Sequence, residues 1–113
     1  MHEMSLAEGM IQLIEDQAES QHFSQVKKIF LEIGALSNVE VESLLFCFNA
    51  VALGTVAETA EVIVERTVGQ GFCMDCSQSV TCDSLYQACP FCQSYKIQVT
   101  GGQDMRVKEL EVA

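Results

Sequence analysis

The sequence predicts an α+β fold: two helices on a three-stranded sheet, with a small cysteine-bearing module inserted before the last strand. Three observations lead there. Two segments repeat apolar residues at helical spacing, three segments carry the alternation of strands, and four cysteines in two CxxC pairs fall between the second and third strand segments.

Taken in order, Leu6, Met10, Leu13, Ile14 and Ala18 mark one face of a first helix running to about residue 20, with Glu15, Asp16 and Glu19 on its outer side. Ser5 and Glu8 have the spacing of a capping box and predict an N-cap at Ser5. A polar turn through Ser20, Gln21, His22 and Ser24 follows, in which His22 is read as a surface residue. The strand at 27–33 places Ile29, Leu31 and Ile33 on one face and ends at Gly34. Ser37 and Glu40 form a second capping box ahead of Val41, Leu44, Leu45, Phe48, Val51 and Ala52, and Gly54 stops that helix. Residues 61–68 and 104–112 complete the sheet. In the latter, Met105 and Val107 are out of phase with Leu110 and Val112, which predicts a bulge near Lys108 and Glu109.

Cys73–Cys76 and Cys89–Cys92 are the CxxC pairs, separated by twelve residues. Each pair wraps two thiolates around one cation, and a short hairpin brings the pairs together into a tetrahedral four-sulfur site. Protein fills all four positions, so this metal holds structure and does not activate water. The ligands alone leave zinc and rubredoxin-like iron both open; a chain with no other redox feature favours zinc and makes the insert a zinc-ribbon module. Gly69 and Gly71 precede it and Gly101–Gly102 follow it, which sets the expected boundaries: an α+β domain of residues 1–68 plus 103–113, and an inserted metal domain of residues 69–102. Cys47 is expected as a small buried hydrophobe in the second helix and Cys82 as a free thiol on the hairpin.

Charge narrows the partners. The 113 residues carry a formal net charge of −10, from 16 acidic and 6 basic side chains, with −8 of it in residues 1–68. Such a surface repels a phosphate backbone, so no nucleic acid is expected as a partner. No apolar run approaches the ~18 residues of a membrane span and no secretory signal opens the sequence, so the expectation is a cytoplasmic protein with reduced thiols and no membrane association.

Met1-His2-Glu3 offers an α-amine, a backbone nitrogen and an imidazole that together form fused, near-planar chelate rings, a donor set suited to Ni(II) or Cu(II). A frayed start to the chain is the other reading of the same three residues, and the residues alone leave both open.

Met1-His2-Glu3-Met4-Ser5-Leu6, the stretch Glu32-Ile33-Gly34-Ala35-Leu36-Ser37 and the two CxxC pairs before a final strand resemble the HypA/HybF family, whose members deliver nickel during maturation of [NiFe]-hydrogenases. The resemblance covers essentially the whole chain. It implies a nickel-binding α+β domain with an inserted zinc domain, nickel ligation by Met1 and His2, and a contribution or orienting role for Glu3. A carboxylate at the start of the second helix matches Glu40, which is read equally as a capping acid. The implied zinc ligands are Cys73, Cys76, Cys89 and Cys92. Some relatives carry histidine beside these cysteines; Ser77 and Gln93 stand there instead, so no histidine-assisted zinc site is expected.

The expected function is therefore a nickel metallochaperone and not an enzyme, with structural Zn2+ and transported Ni2+. The resemblance implies a nickel-maturation GTPase of the HypB type and a hydrogenase large-subunit precursor as partners, and the chain is expected as a monomer or weak homodimer. There is no nucleophile elbow or phosphate loop. The alternative is a zinc-ribbon protein-interaction module without nickel delivery. A thiol oxidoreductase would need one CxxC pair free of metal.

Overall fold

A computed structural model describes residues 2–113. The element order is α1 (Glu3–Gln21), β1 (Val26–Gly34), α2 (Val41–Ala52), β2 (Glu61–Thr67), β3 (Gly69–Cys73), β4 (Ser79–Cys82), β5 (Ile97–Gly101) and β6 (Met105–Val112). Two three-stranded sheets result, with strand orders β2-β1-β6 and β4-β3-β5. The α+β class and the body sheet assembled from both sides of the cysteine segment are as the pattern predicts. Among the described residues no helix is long and apolar enough to cross a membrane.

By their contacts the residues fall into two compact units. One comprises Met1–Leu31, Val39–Val64 and Val107–Ala113; the other comprises Glu32–Asn38 and Glu65–Arg106. In the first, α1 buries Ala7, Met10, Ile11, Ile14 and Ala18, and α2 buries Leu44, Cys47, Phe48 and Ala52. Ile29 and Leu31 alternate on the buried face of β1. Two sequence assignments on α1 need correction. Leu13 is 47% exposed, because Ile11 and Ile14 hold the inner face and turn Leu13 away. Glu15 is half-buried, and its Oε1 accepts the Val56 N–H at 3.0 Å, so it fastens a loop and is not part of a free acidic face.

Both capping boxes are overturned. Helix α1 begins at Glu3 with His2 as N-cap and no side-chain cap; the Leu6 N–H donates to the His2 carbonyl at 2.9 Å. The helix gains two residues beyond Ser5, where Glu3 places a carboxylate in the first turn, the favourable sign for the N-terminal end of the dipole. Helix α2 begins four residues after Ser37. Asn38 takes the left-handed conformation at φ 60°, which interrupts any helix started at Ser37. Glu40 then becomes the N-cap itself, its Oε1 accepting the Glu42 N–H at 3.1 Å. At the other end of α1 the exposed His22 is the C-cap, at φ 60°, with its N–H on the Ala18 carbonyl.

The phase break expected in the last strand is visible in its exposure. Met105, Val107 and Leu110 are half-buried, while Lys108 and Glu109 are consecutively exposed. In the second unit, β3 pairs antiparallel with β4 and β5, with a register irregularity between Gln70 and Gly71. Gly34 and Gly102 approach closely there: a Cβ on Gly34 would collide with the Gly102 carbonyl, and Gly102 itself has φ 86°. The Gly34 N–H donates to Asp104 and the Leu36 N–H to Gly102, at 2.8 and 2.7 Å.

Candidate metal centres

The four CxxC cysteines converge. Cys73 ends β3 and the other three follow in the two knuckle turns, with all four sulfurs within 4.8 Å of one another. Cys73 Sγ lies 3.6 Å from Cys92 Sγ, and Cys76 Sγ lies 3.7 Å from Cys89 Sγ. None is disulfide-bonded. A tetrahedron with zinc–sulfur bonds of about 2.3 Å has edges of about 3.8 Å, so the sulfur spacing fits one such cation.

The two turns have the same construction. Ser77 and Gln93, each one residue past a CxxC pair, are left-handed at φ 57° and 63°. The Ser77 N–H donates to the Cys73 carbonyl and the Gln93 N–H to the Cys89 carbonyl, at 2.9 and 2.8 Å. The Cys73 N–H reaches the Gln78 carbonyl at 2.9 Å, and the Cys89 N–H reaches Ser94 at 2.7 Å. These bonds tighten each pair into a knuckle and turn backbone N–H groups towards sulfur. One of them, from Phe91 to Cys89 Sγ, measures 3.4 Å.

Without a cation the sulfurs are poorly matched. Hydrogen bonding from the Cys76 N–H, against burial, brings the Cys73 thiol down to about 7. Burial and the neighbouring thiols push Cys76 up to about 12. A single dication resolves the conflict by replacing the protons and holding the sulfurs together as thiolates. Zinc so bound would supply cross-linking and no reactive position, since every coordination place is taken. Around the cluster, Leu36, Val80 and Cys82 are buried with Cys73 and Cys89, and Ile97 and Val99 pack against them. Cys82 lies outside the four-sulfur group, and burial, then the Asp83 charge, pushes its thiol up. Cys47 is buried in α2, as expected of a small hydrophobe.

At the other candidate centre, Met1 lies outside the described residues. His2 is exposed at the start of α1, whereas Glu3, one residue on, is 5% exposed. Glu3 Oε2 accepts the Glu40 N–H at 3.4 Å. The start of α1 and the N-cap of α2 are thus brought together, with the Glu3 and Glu40 carboxyl groups both in that neighbourhood and Glu40 exposed. Sequence reasoning named both acids but could not foresee that one is buried and hydrogen-bonded to the backbone of the other. No periodic signal marks a contact 37 residues apart.

A family model described as "Hydrogenase/urease nickel incorporation, metallochaperone, hypA" matches residues 1–112. The hydrogenase maturation factor HypA of Azotobacter chroococcum mcd 1 is 54% identical over 112 residues, covering 99% of both chains. That of Dechloromonas aromatica is 51% identical with the same coverage. Among solved structures, the solution structure of the Ni metallochaperone HypA from Helicobacter pylori superposes with a TM-score of 0.72 at 24% identity, covering 99% of this chain and 97% of that one. A second, the solution structure of HypA protein, gives 0.71 at 26% identity, covering 100% and 97%. The match runs through both the helical elements and the cysteine turns, and the chain belongs to the HypA family of hydrogenase maturation factors.

Proposed function

We propose that the protein is a nickel metallochaperone: it takes up Ni(II) at the Met1–His2 terminus and releases it into a hydrogenase large-subunit precursor, while Zn2+ stays in the four-cysteine site. The observation that carries this reading is the placement of His2 and Glu3 within a HypA-family chain. His2 is exposed at a helix start, backed by the buried Glu3 carboxylate and by Glu40. A cation beside a helix N-terminus meets the unfavourable end of the dipole, at a cost of about 0.3–1 kcal/mol, and two nearby carboxylates offset it. Chelation by Met1 amine and by the His2 backbone nitrogen and imidazole supplies the affinity. Glu3 orients that start, and Glu40 caps α2 and adds negative charge. In this reading residues 1–68 and 103–113 form the nickel-binding domain and residues 69–102 the zinc domain.

An exposed site with few protein donors suits a cargo that must leave, and no reaction is needed for that role. A HypB-type GTPase and the precursor are the proposed partners, in the cytoplasm, where thiols stay reduced for zinc. The test is nickel titration of tag-free protein beginning at Met1, followed by spectroscopy and metal analysis. One nickel per chain should bind, and both His2→Ala and an N-terminal extension should abolish it with zinc retained. Unchanged nickel affinity in either variant would place the site elsewhere. Zinc with no nickel binding at all would leave a zinc-ribbon interaction module, for which the exposed Met74, Phe91 and Tyr95 offer a surface.

A further inference from the structure

The two cysteine turns share one backbone plan, and besides their sulfurs a Ser–Asp clasp joins them, with no reverse counterpart among the described residues. Ser94 Oγ donates to Asp75 Oδ2, so a residue inside the first CxxC turn is held by a residue just past the second. The same Ser94 Oγ accepts the Lys96 N–H at 3.0 Å, and Lys96 Nζ stands 3.9 Å from Asp75 Oδ1. Both clasp residues sit within two positions of a ligand cysteine in the chain. Asp75 lies between Cys73 and Cys76, and Ser94 lies two residues past Cys92. The equivalent of Asp75 in the second turn is Phe91, which has no polar side chain to reciprocate.

The clasp therefore links the turn that carries Cys73 to the segment just past Cys92. The sulfurs of those two cysteines form one edge of the four-sulfur site, 3.6 Å long. Cys92 is the only exposed member of the four, so it offers the side from which a competing ligand reaches the metal. We propose that Asp75 is a positioning residue of the metal centre: clasped by Ser94, its carboxylate holds the two cysteine turns together at their exposed edge and slows release of the bound metal. The proposal rests on the reading of the four cysteines as an occupied zinc site.

Charge alone predicts the opposite sign. Four thiolates around a dication leave a local charge of about −2, and a nearby carboxylate adds repulsion, so deleting the Asp75 charge would by electrostatics alone favour retention. The Lys96 pair offers little compensation, since its side chains are 75% and 48% exposed and such pairs contribute little. Clasp and charge are therefore separable by the direction of a single substitution.

The experiment measures zinc content of tag-free protein and then the rate of zinc transfer to an excess of chromogenic chelator. Asp75→Ala and Ser94→Ala should each keep one zinc per chain and release it about tenfold faster, the lower end for loss of an outer-sphere partner. The double variant should be no faster than the faster single one, because both remove the same bond. Asp75→Asn should stay near the parent rate, since the amide oxygen still accepts from Ser94. Unchanged or slower release in Asp75→Ala, or multiplied effects in the double variant, would overturn the proposal. If Asp75→Ala folds poorly, Ser94→Ala carries the same test. Parent protein holding neither zinc nor iron would refute the occupied-site reading itself, a result distinct from failure of the clasp.

Discussion

The two candidate metal centres of this molecule are built on opposite principles. The cysteine centre is made of four side chains on two backbone-locked turns, three of the four largely shielded, with sulfur spacing already near that of a filled tetrahedron. The N-terminal centre has one exposed imidazole at a helix start, backed by a carboxylate that is itself occupied with a backbone N–H. Redundant, preformed ligation makes a resident ion; sparse donation at a terminus makes an ion that can be handed on. On the proposed reading, the contrast would let one short chain keep one metal and carry another without exchanging them. In that reading soft thiolates would favour zinc in the first site, and nitrogen donors in a plane would favour nickel in the second.

The contrast breaks most visibly if the resident site is damaged. Cys76→Ala or Cys89→Ala removes one of four ligands and should eliminate stoichiometric zinc. Amide signals from Glu65–Arg106 should then lose dispersion while those of α1 and α2 keep it. Zinc retained in either variant, by elemental analysis, would mean that the four cysteines are not the ligand set.

A second prediction separates the resident site from thiol chemistry. Cys82 is raised by burial first and by the Asp83 charge second. A thiol whose folded pKa is raised contributes stability that is fully present below its unfolded value of about 8.5 and is lost as pH rises through the folded one. At pH 8, Cys82 should therefore resist alkylation in the zinc-loaded protein, as should the buried Cys47, while chelation opens the four ligand thiols to labelling. Mass mapping that finds Cys82 modified before any ligand cysteine would make it a reactive thiol and revive the oxidoreductase reading.

The smallest effect belongs to Glu40. Its carboxylate caps α2, so Glu40→Ala should cost about 0.5–1 kcal/mol in a denaturant titration of zinc-loaded protein. Nickel affinity should fall far less than in His2→Ala. A loss of nickel binding as complete as that of His2→Ala would promote Glu40 from capping acid to indispensable ligand and make the N-terminal centre less sparse than described.

What the sequence disclosed followed the range of the interactions involved. The alternation of Ile29, Leu31 and Ile33 and the spacing of the four cysteines are local, and both are legible in the sequence. The phase break at Lys108 and Glu109 was legible for the same reason. The helix starts were not. Asn38 in the left-handed region cancels a well-spaced capping box, and Glu3 extends α1 past Ser5 while meeting a backbone group of α2. Strand β4, only four residues long, carries too short an alternation to announce itself. The clasp between Asp75 and Ser94 depends on two turns facing each other, for which neither residue offers a pattern.

In the proposed reading one ion is resident and the other is cargo. Tag-free protein loaded with both metals should be titrated with a chelator, following nickel absorbance, zinc content and far-ultraviolet circular dichroism in the same sample. Nickel should leave first and completely, with zinc and helical signal unchanged, and added nickel should restore the original spectrum. Simultaneous departure of the two metals, or zinc leaving while nickel stays, would contradict the account.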